Sequence, residues 1–209
     1  MDLAKEGYRE IAGYVGASMV LYVSLDMSVH ADEVLYIAAS IIVWAMGYAL
    51  LVRLMKLAGL PTDGAKSRIG TYFALSLIIS SLVGLGLLAL LVPGIYLAAR
   101  WLPAYLRALT SDDGVGGSMR WSWDRTEPFQ RLLAWRLVAP SICYTIAMAL
   151  ILHYEFVYYP DWPYSWSYEL RSSLLVNALI SVSVVWTTIV GIAAYELVQV
   201  EGSAEPHTA

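Results

Sequence analysis

The sequence predicts an all-α fold, an integral membrane helical bundle of about six transmembrane helices. Its 209 residues are 59% hydrophobic and 14% charged, with a mean hydropathy of +0.61, whereas about a quarter of the residues in a soluble domain are charged. The chain holds 15 Tyr and 8 Trp against 3 Phe, and Tyr and Trp are the rings that prefer the membrane–water interface. Several nearly uncharged runs are long enough to cross a hydrocarbon core about 30 Å thick.

Hydropathy orders the elements along a single transmembrane domain, 1–200, followed by a polar segment, 201–209, that we expect to be a disordered cytoplasmic tail. The predicted spans are 8–28, 33–57, 68–92, 95–110, 129–153 and 168–198. The first span follows a basic start, as a secretory signal does, but its apolar run is long for a signal, so we expect this helix to be retained. The fourth span is short, and Pro103 is expected to kink it.

A basic and aromatic stretch follows the third helix. Pro93 cannot continue the hydrogen bonds of that helix and Gly94 permits a sharp reversal, so we expect a tight hairpin here. Arg100 and Arg107 are seven residues apart, about two turns along one helical face. Together with Trp101 they form a candidate site for an anionic lipid or a partner helix, because guanidinium groups bind oxyanions in bidentate fashion. The alternative is that Arg107 extends to the headgroups and Arg100 pairs within the protein.

Between the fourth and fifth helices, the segment 114–123 is predicted to be an interfacial amphipathic helix that lies along the membrane surface. Its apolar side is formed by Val115, Met119 and Trp123. Arg120 and Arg125 flank Trp123, and each basic residue near an anionic membrane contributes on the order of 1 kcal/mol to binding. These three residues are candidates for contact with anionic headgroups, and simple anchoring of the segment explains them as well.

Basic residues are distributed asymmetrically across the predicted topology. If the amino terminus is cytoplasmic, all of the 13 Lys and Arg except Arg100 and Arg171 lie on the cytoplasmic side. The loops on the opposite side are acidic. This is the asymmetry that the positive-inside rule describes, so we predict a multi-pass protein of the inner (plasma) membrane with both termini in the cytoplasm.

Small and polar residues recur at four-residue spacing on two helices, a pattern that lets helices approach and hydrogen-bond within a membrane. The third helix carries Ser76 and Ser80, and the last helix carries Asn177, Ser181 and, on a neighbouring face, Thr187. Two interpretations are open: the stripes join helices to one another, or they line a polar permeation path.

Several other classes of function find no support in the sequence. The net charge of −4 and the lack of a basic run argue against nucleic acid. The only cysteine, Cys143, excludes a disulfide within this sequence. No Gly-x-Ser-x-Gly elbow is present. Acids and histidines on the non-cytoplasmic side, among them His30, Asp32, His153 and Glu155, lack a ligand spacing such as His-x-x-x-His, so we predict neither a metal nor a cofactor.

A family resemblance extends over 91–136. This run holds Pro93-Gly94-Ile95-Tyr96, Arg100 and Ser122-Trp123-x-x-Thr126. It resembles the multi-pass membrane domain of YciC-like proteins, which is also attached to some bacterial glycerophosphodiester phosphodiesterases. The resemblance implies a bacterial inner-membrane protein of mostly unknown activity. It does not imply phosphodiesterase chemistry, which resides in a separate soluble domain whose metal-binding residues this chain lacks.

We therefore expect a membrane protein without enzymatic activity of its own that organises or binds membrane components, either anionic lipid or a partner protein such as a second copy. Two alternatives stay open. A small transporter or channel-like protein would use Asn177, Ser181, Thr187 and Arg100 as lining. A lipid-modifying enzyme would need acidic groups near Arg100, and the nearest in the predicted topology are Asp112, Asp113, Asp124 and Glu127.

Overall fold

The computed structural model describes residues 3–28, 33–89, 91–153 and 166–204. Within these ranges every regular element is helical, which confirms the all-α class. The α-helices are α1 Leu3–Glu6, α2 Tyr8–Asp26, α3 Glu33–Leu57, α4 Ile69–Ala89, α5 Leu91–Trp101, α6 Ala104–Thr110, α7 Gly114–Arg125, α8 Gln130–His153 and α9 Trp166–Ala204. A 3-10 turn at Glu127–Phe129 leads into α8. The last helix thus extends into the segment predicted to be a disordered tail.

Among the residues that the structure describes, four helices are long and apolar enough to cross a membrane, and they indicate a membrane protein. Their apolar stretches are Glu33–Leu57, Ile69–Leu87, Glu127–His153 and Glu169–Val200. The predicted six spans are not confirmed. α2 is 19 residues long, but Arg9 and Glu10 lie at its start and Ser and Tyr residues interrupt its apolar run. α5 and α6 have 11 and 7 residues, whereas a span needs about 20.

A proline divides the predicted fourth helix. α5 ends at Trp101 and α6 begins at Ala104, because Pro103 has no N–H with which to continue the helical hydrogen bonds. The backbone N–H of Arg107 donates to the Pro103 carbonyl at 3.0 Å and so begins a new set of helical bonds. The expected kink is therefore a full break, and Arg100 and Arg107 belong to different helices.

The chain reverses between α4 and α5, but Pro93 and Gly94 are not the turn. Both lie inside α5 near its start, so the predicted hairpin at this dipeptide is not confirmed. Gly94 permits close packing instead. A Cβ on Gly86 would lie 2.9 Å from the Cα of Gly94, whereas residues eight apart in one helix are separated by about 12 Å. The backbones of α4 and α5 therefore nearly touch at a pair of glycines.

α9 compensates for a second proline, which lies inside α8. Pro140 lacks the N–H that would bond to the carbonyl of Arg136 one turn earlier. Trp186 on α9 supplies a donor, because its Nε1 lies 3.2 Å from that carbonyl oxygen. Ser183 Oγ donates to the Pro140 carbonyl at 3.0 Å. The two helices are therefore joined at the point where α8 loses a hydrogen bond of its own.

Polar residues also join α9 to α2. Ser18 Oγ and Ser181 Oγ lie 3.2 Å apart, and both residues are buried. Asn177 Nδ2 donates to Asp26 Oδ2 at 3.3 Å, and Ser173 Oγ donates to the same carboxylate oxygen. These contacts support the packing interpretation for the stripe that includes Asn177 and Ser181, since each residue meets a partner on the neighbouring helix.

A large buried cluster lies where α1, α2, α3, α6 and α9 meet. The side chains of Leu54, Met55, Leu109 and Tyr195 within it are fully buried. A buried tyrosine hydroxyl needs a hydrogen-bond partner, and Tyr195 Oη lies 2.6 Å from Thr110 Oγ1. This cluster fixes one end of the bundle, next to the connection between α6 and α7.

Candidate functional site

A cavity of about 480 Å³ lies inside the bundle and opens at its surface. It is bounded by α3, α4, α5, α6, α8 and α9, with Tyr14 of α2 also in contact. Its walls are mostly apolar. Hydroxyl groups come from Ser40, Ser76, Ser80, Ser141, Ser183, Thr187 and Thr188, and large aromatic walls come from Trp44, Tyr72, Tyr105 and Tyr144. The lining residues that the structure describes carry no charge.

The cavity brings together only part of the predicted polar stripes. Ser76, Ser80 and Thr187 line it although they come from different helices. Asn177 instead bonds to Asp26 at the contact between α9 and α2. The residues that were expected to line one transport path therefore lie in two places, some in the cavity and others at a contact between helices.

Aromatic side chains close the gap between α3 and α4 beside the cavity. Trp44 Nε1 donates to Ser76 Oγ at 3.1 Å, and the Trp44 ring meets Phe73 edge-on with centroids 5.0 Å apart. The rings of Tyr48 and Tyr72 continue the contact at 5.3 Å. Ring pairs at such distances contribute about 0.5–1.5 kcal/mol each beyond the area they bury. This wall is therefore built from side chains that meet across the gap.

Arg100 is buried, with 6% of its surface exposed. Its Nη1 donates to the carbonyl of Trp123 at 2.8 Å, and its guanidinium carbon lies 4.8 Å from the Trp123 ring centre and 5.6 Å from that of Tyr96. Among the described residues, no carboxylate pairs with Arg100 and no group bonds to its Nε. The aromatic faces take the place of a counter-ion, since cation–π attraction strengthens when the pair is shielded from water.

The backbone of Arg100 is held by α7 as well. Its carbonyl lies at the end of α5, where carbonyls lack helical partners, and it accepts from Ser122 Oγ at 2.7 Å and Thr126 Oγ1 at 3.3 Å. Ser122 and Thr126 are fully buried. Five of the residues on which the family resemblance is based, Tyr96, Arg100, Ser122, Trp123 and Thr126, thus meet at one junction between α5 and α7.

α7 packs its apolar side against the protein. Val115 and Met119 contact buried residues of α4 and α6, and Trp123 contacts rings of α5. The exposed side carries polar residues such as Arg120 and Asp124. The predicted amphipathic helix is therefore present, but its apolar face covers the bundle. Periodicity in the sequence identifies such a face without saying whether lipid or protein covers it.

Arg107 is paired within the chain. Its Nη2 lies 2.6 Å from Asp113 Oδ2, and its guanidinium carbon lies 5.1 Å from the Trp121 ring centre. Arg68 makes a second ion pair with Asp112, with 2.8 Å between Nε and Oδ1. Hydrogen bonds from these two arginines hold the pKa of each partner carboxyl below its ordinary value. The anionic partners of Arg68 and Arg107 are thus supplied by the protein.

Three more predicted site residues lie at or near the surface of α5 and α7. Trp101 packs against Trp123 with ring centroids 5.7 Å apart. Arg120 forms an exposed pair with Asp124 at 3.9 Å, and Arg125 is exposed. An exposed ion pair contributes only about 0–1 kcal/mol, so the side chains of both arginines are free to contact other molecules.

Comparison with protein-family models, curated proteins and solved structures gives no match. The resemblance to the multi-pass family therefore stays a prediction. Among the described residues, no group of three or more His, Cys, Asp or Glu side chains is placed to hold a metal ion. His30, Asp32 and Glu155, which were predicted to lie on the non-cytoplasmic side, are outside the described residues.

Proposed function

We propose that this protein is a non-enzymatic membrane protein that binds a lipid or lipid-like molecule in the cavity bounded by α3, α4, α5, α6, α8 and α9. The observation that carries the proposal is the cavity itself, about 480 Å³ of mostly apolar space within a bundle of apolar helices. Ligand sites usually measure about 300–1,000 Å³ and combine apolar walls with a few polar groups that fix orientation. The cavity has both properties.

The chemistry of the walls favours the chains of a lipid over its charged headgroup. Aliphatic and aromatic side chains suit hydrocarbon. Hydroxyl groups such as those of Ser80 and Thr187 donate and accept hydrogen bonds, and they suit ester or hydroxyl groups of the ligand. A charged group would find no counter-ion in the described lining, and burying an unpaired charge costs several kcal/mol. The chains therefore enter the cavity and a charged headgroup stays outside.

Entry from the lipid phase is expected between α3 and α4. The wall there consists of side chains, and Ser40 and Phe73 are exposed. Rotation of Trp44 breaks its hydrogen bond to Ser76, which costs about 1 kcal/mol, and its ring contact with Phe73, which costs about 0.5–1.5 kcal/mol more. This cost is small enough for a chain to enter without separation of the helices.

The alternative functions find less support. Ser76, Ser80 and Thr187 give the cavity some polarity, but Arg100 is enclosed by aromatic rings and Asn177 bonds to α2. The described lining thus offers an ion neither a charge nor an amide. The acids considered for a lipid-modifying enzyme are not among the lining residues either.

The proposal includes a location, the bacterial inner membrane with both termini in the cytoplasm. The asymmetry of Lys and Arg and the family resemblance support it. Fusion of green fluorescent protein or alkaline phosphatase to the carboxyl terminus tests the orientation. We expect the green fluorescent protein fusion to fluoresce and the alkaline phosphatase fusion to be inactive. The reverse pattern would overturn the proposed orientation.

Native mass spectrometry of the detergent-extracted protein tests the cavity. Gly84 lines it, and a Cβ at this position meets no atom within 4 Å, so Gly84→Phe fills the space without a clash near the backbone. Gly70 on the same helix is equally open and is not part of the described lining, which makes Gly70→Phe the matched control. We expect wild type and Gly70→Phe to carry at least one bound lipid more than Gly84→Phe. Equal lipid in all three forms would overturn the proposal.

A further inference from the structure

A separate apolar groove of about 400 Å³ lies on the surface of the bundle between α2 and α9. α2 contributes Ile11 and Val15, and α9 contributes Val182 and Trp186. The last two are exposed. The groove and the cavity have no described lining residue in common, so an inference from the groove does not rest on the proposed function.

One charged residue, Arg136 of α8, borders the groove, and no other residue of the described lining is charged. Its side chain is exposed and pairs with no carboxylate in the part of the chain that the structure describes. Its backbone is fixed, because Trp186 Nε1 donates to the carbonyl that Pro140 leaves without a helical partner. An unpaired guanidinium is thus attached at a fixed point beside an apolar wall.

The position of Arg136 along its helix places this charge within reach of the membrane surface. It lies nine residues after the beginning of the apolar stretch Glu127–His153, about 13 Å along the helix axis. A long basic side chain at such a position keeps its methylene groups on apolar surface and extends its charge to the interface. Arg131, also exposed, lies closer to the beginning of this stretch than Arg136 does. The groove therefore leads toward the level at which lipid phosphates lie.

We propose that this groove binds an anionic phospholipid, with an acyl chain along Ile11, Val15 and Val182 and the headgroup phosphate on Arg136. A guanidinium matches phosphate with two parallel hydrogen bonds. The charges are complementary, since the described lining holds one arginine and no acid. Two walls of the groove, on α8 and α9, belong to helices apolar enough to cross a membrane, so lipid is the surrounding medium.

Native mass spectrometry with added lipid tests this site. The protein in detergent is titrated separately with phosphatidylglycerol and with phosphatidylcholine of the same acyl chains, and the apparent dissociation constants are compared. We expect wild type to prefer phosphatidylglycerol. Arg136→Gln should weaken phosphatidylglycerol binding by about tenfold, or about 1.4 kcal/mol. Arg136→Lys should stay within about threefold of wild type, because it keeps the charge and loses only the bidentate geometry.

Further variants separate the contacts of the chain from those of the headgroup. Val182→Trp fills the groove and keeps Arg136, so it should weaken both lipids. Arg125→Gln removes an exposed arginine that is not in the described lining and should bind as wild type does. Phosphatidylglycerol binding unchanged in Arg136→Gln or in Val182→Trp would overturn the proposal, as would a dimer of the chain that forms in place of a lipid adduct. Gly84→Phe should leave this binding intact, which distinguishes failure here from failure of the cavity.

Discussion

Replacement of Arg100 by lysine tests how α7 is attached to the bundle. The planar guanidinium makes two kinds of contact at once. Its Nη1 donates to the Trp123 carbonyl at 2.8 Å, and the group lies near the rings of Trp123 and Tyr96. A lysine ammonium is a compact and strongly hydrated charge without a plane. In the same buried position it reaches the carbonyl or the ring faces, but not both at once. Arg100→Lys therefore keeps the charge and removes the geometry.

The expected loss is about 2–4 kcal/mol of unfolding free energy. A hydrogen bond from a charged group contributes about 1.5–3 kcal/mol, and a cation–π contact shielded from water contributes about 2 kcal/mol. The variant loses one of the two, and the stronger hydration of an ammonium adds to the cost of burial. Water does not compensate, because Arg100 is only 6% exposed. The bond from Ser122 to the backbone carbonyl persists, so we expect the variant to fold.

Thermal unfolding in detergent, followed by tryptophan fluorescence, measures the effect. For a chain of this size each kcal/mol corresponds to about 2–4 °C, so Arg100→Lys should lower the melting temperature by about 5–15 °C. Arg125→Lys, an exposed change on α7, should stay within about 2 °C of wild type. Equal melting temperatures for the two variants would refute the reasoning, because the guanidinium plane would then contribute nothing.

Three further predictions concern contacts around this junction and along α8. The pKa of Asp112 and Asp113 is lowered in the folded protein, so their contribution to stability is present above the ordinary value of 3.8 and is lost as the pH falls through the folded value. The difference in melting temperature between wild type and the double asparagine variant should therefore shrink as the pH falls from about 5 to about 2, and a constant difference would contradict this reasoning. Gly94→Ala places a Cβ 2.6 Å from a backbone nitrogen of α4 and should cost about 1–3 kcal/mol in thermal unfolding; an unchanged melting temperature would show that the helices do not touch there. Trp186→Phe should cost about 1 kcal/mol, and adding Pro140→Ala should remove that cost by restoring the missing N–H; a double-mutant cycle without coupling would count against the proposed compensation.

Long apolar runs made much of the helical pattern predictable. α3 has the predicted bounds, and α8 begins one residue after the predicted start, because a long apolar run in a membrane must satisfy its own backbone hydrogen bonds as a helix. The region of α5 and α6 was harder to predict. Neither helix is long enough to span alone. α5 is held by packing against α4, α7 and α8, and α6 by packing against α4, α7 and α9. Local hydropathy does not reveal that support.

The candidate site was predictable only in part. Ser76 and Asn177 belong to stripes with the same spacing, yet Ser76 lines the cavity and Asn177 bonds to α2. Arg100 was expected to meet an external anion or an internal partner, and it meets aromatic rings of the chain itself. A signal for the aromatic wall was present, since Trp44 and Tyr48 are four residues apart on one face of α3. Residue spacing identifies such faces, but only the pairing of helices determines what they contact.

Photo-crosslinking from lipid chains tests the central claim, that the cavity holds lipid. The protein is reconstituted into vesicles that contain a trace of phospholipid with a diazirine in its acyl chain, and the modified residues are located by mass spectrometry of peptides. We predict labels on the cavity residues Ser141 and Thr187 in wild type. In Gly84→Phe these labels should be absent, whereas labels on the exposed Ile41 and Leu85 should persist. Labels confined to Ile41, Leu85 and other exposed residues, with Ser141 and Thr187 unmodified in wild type, would contradict the claim.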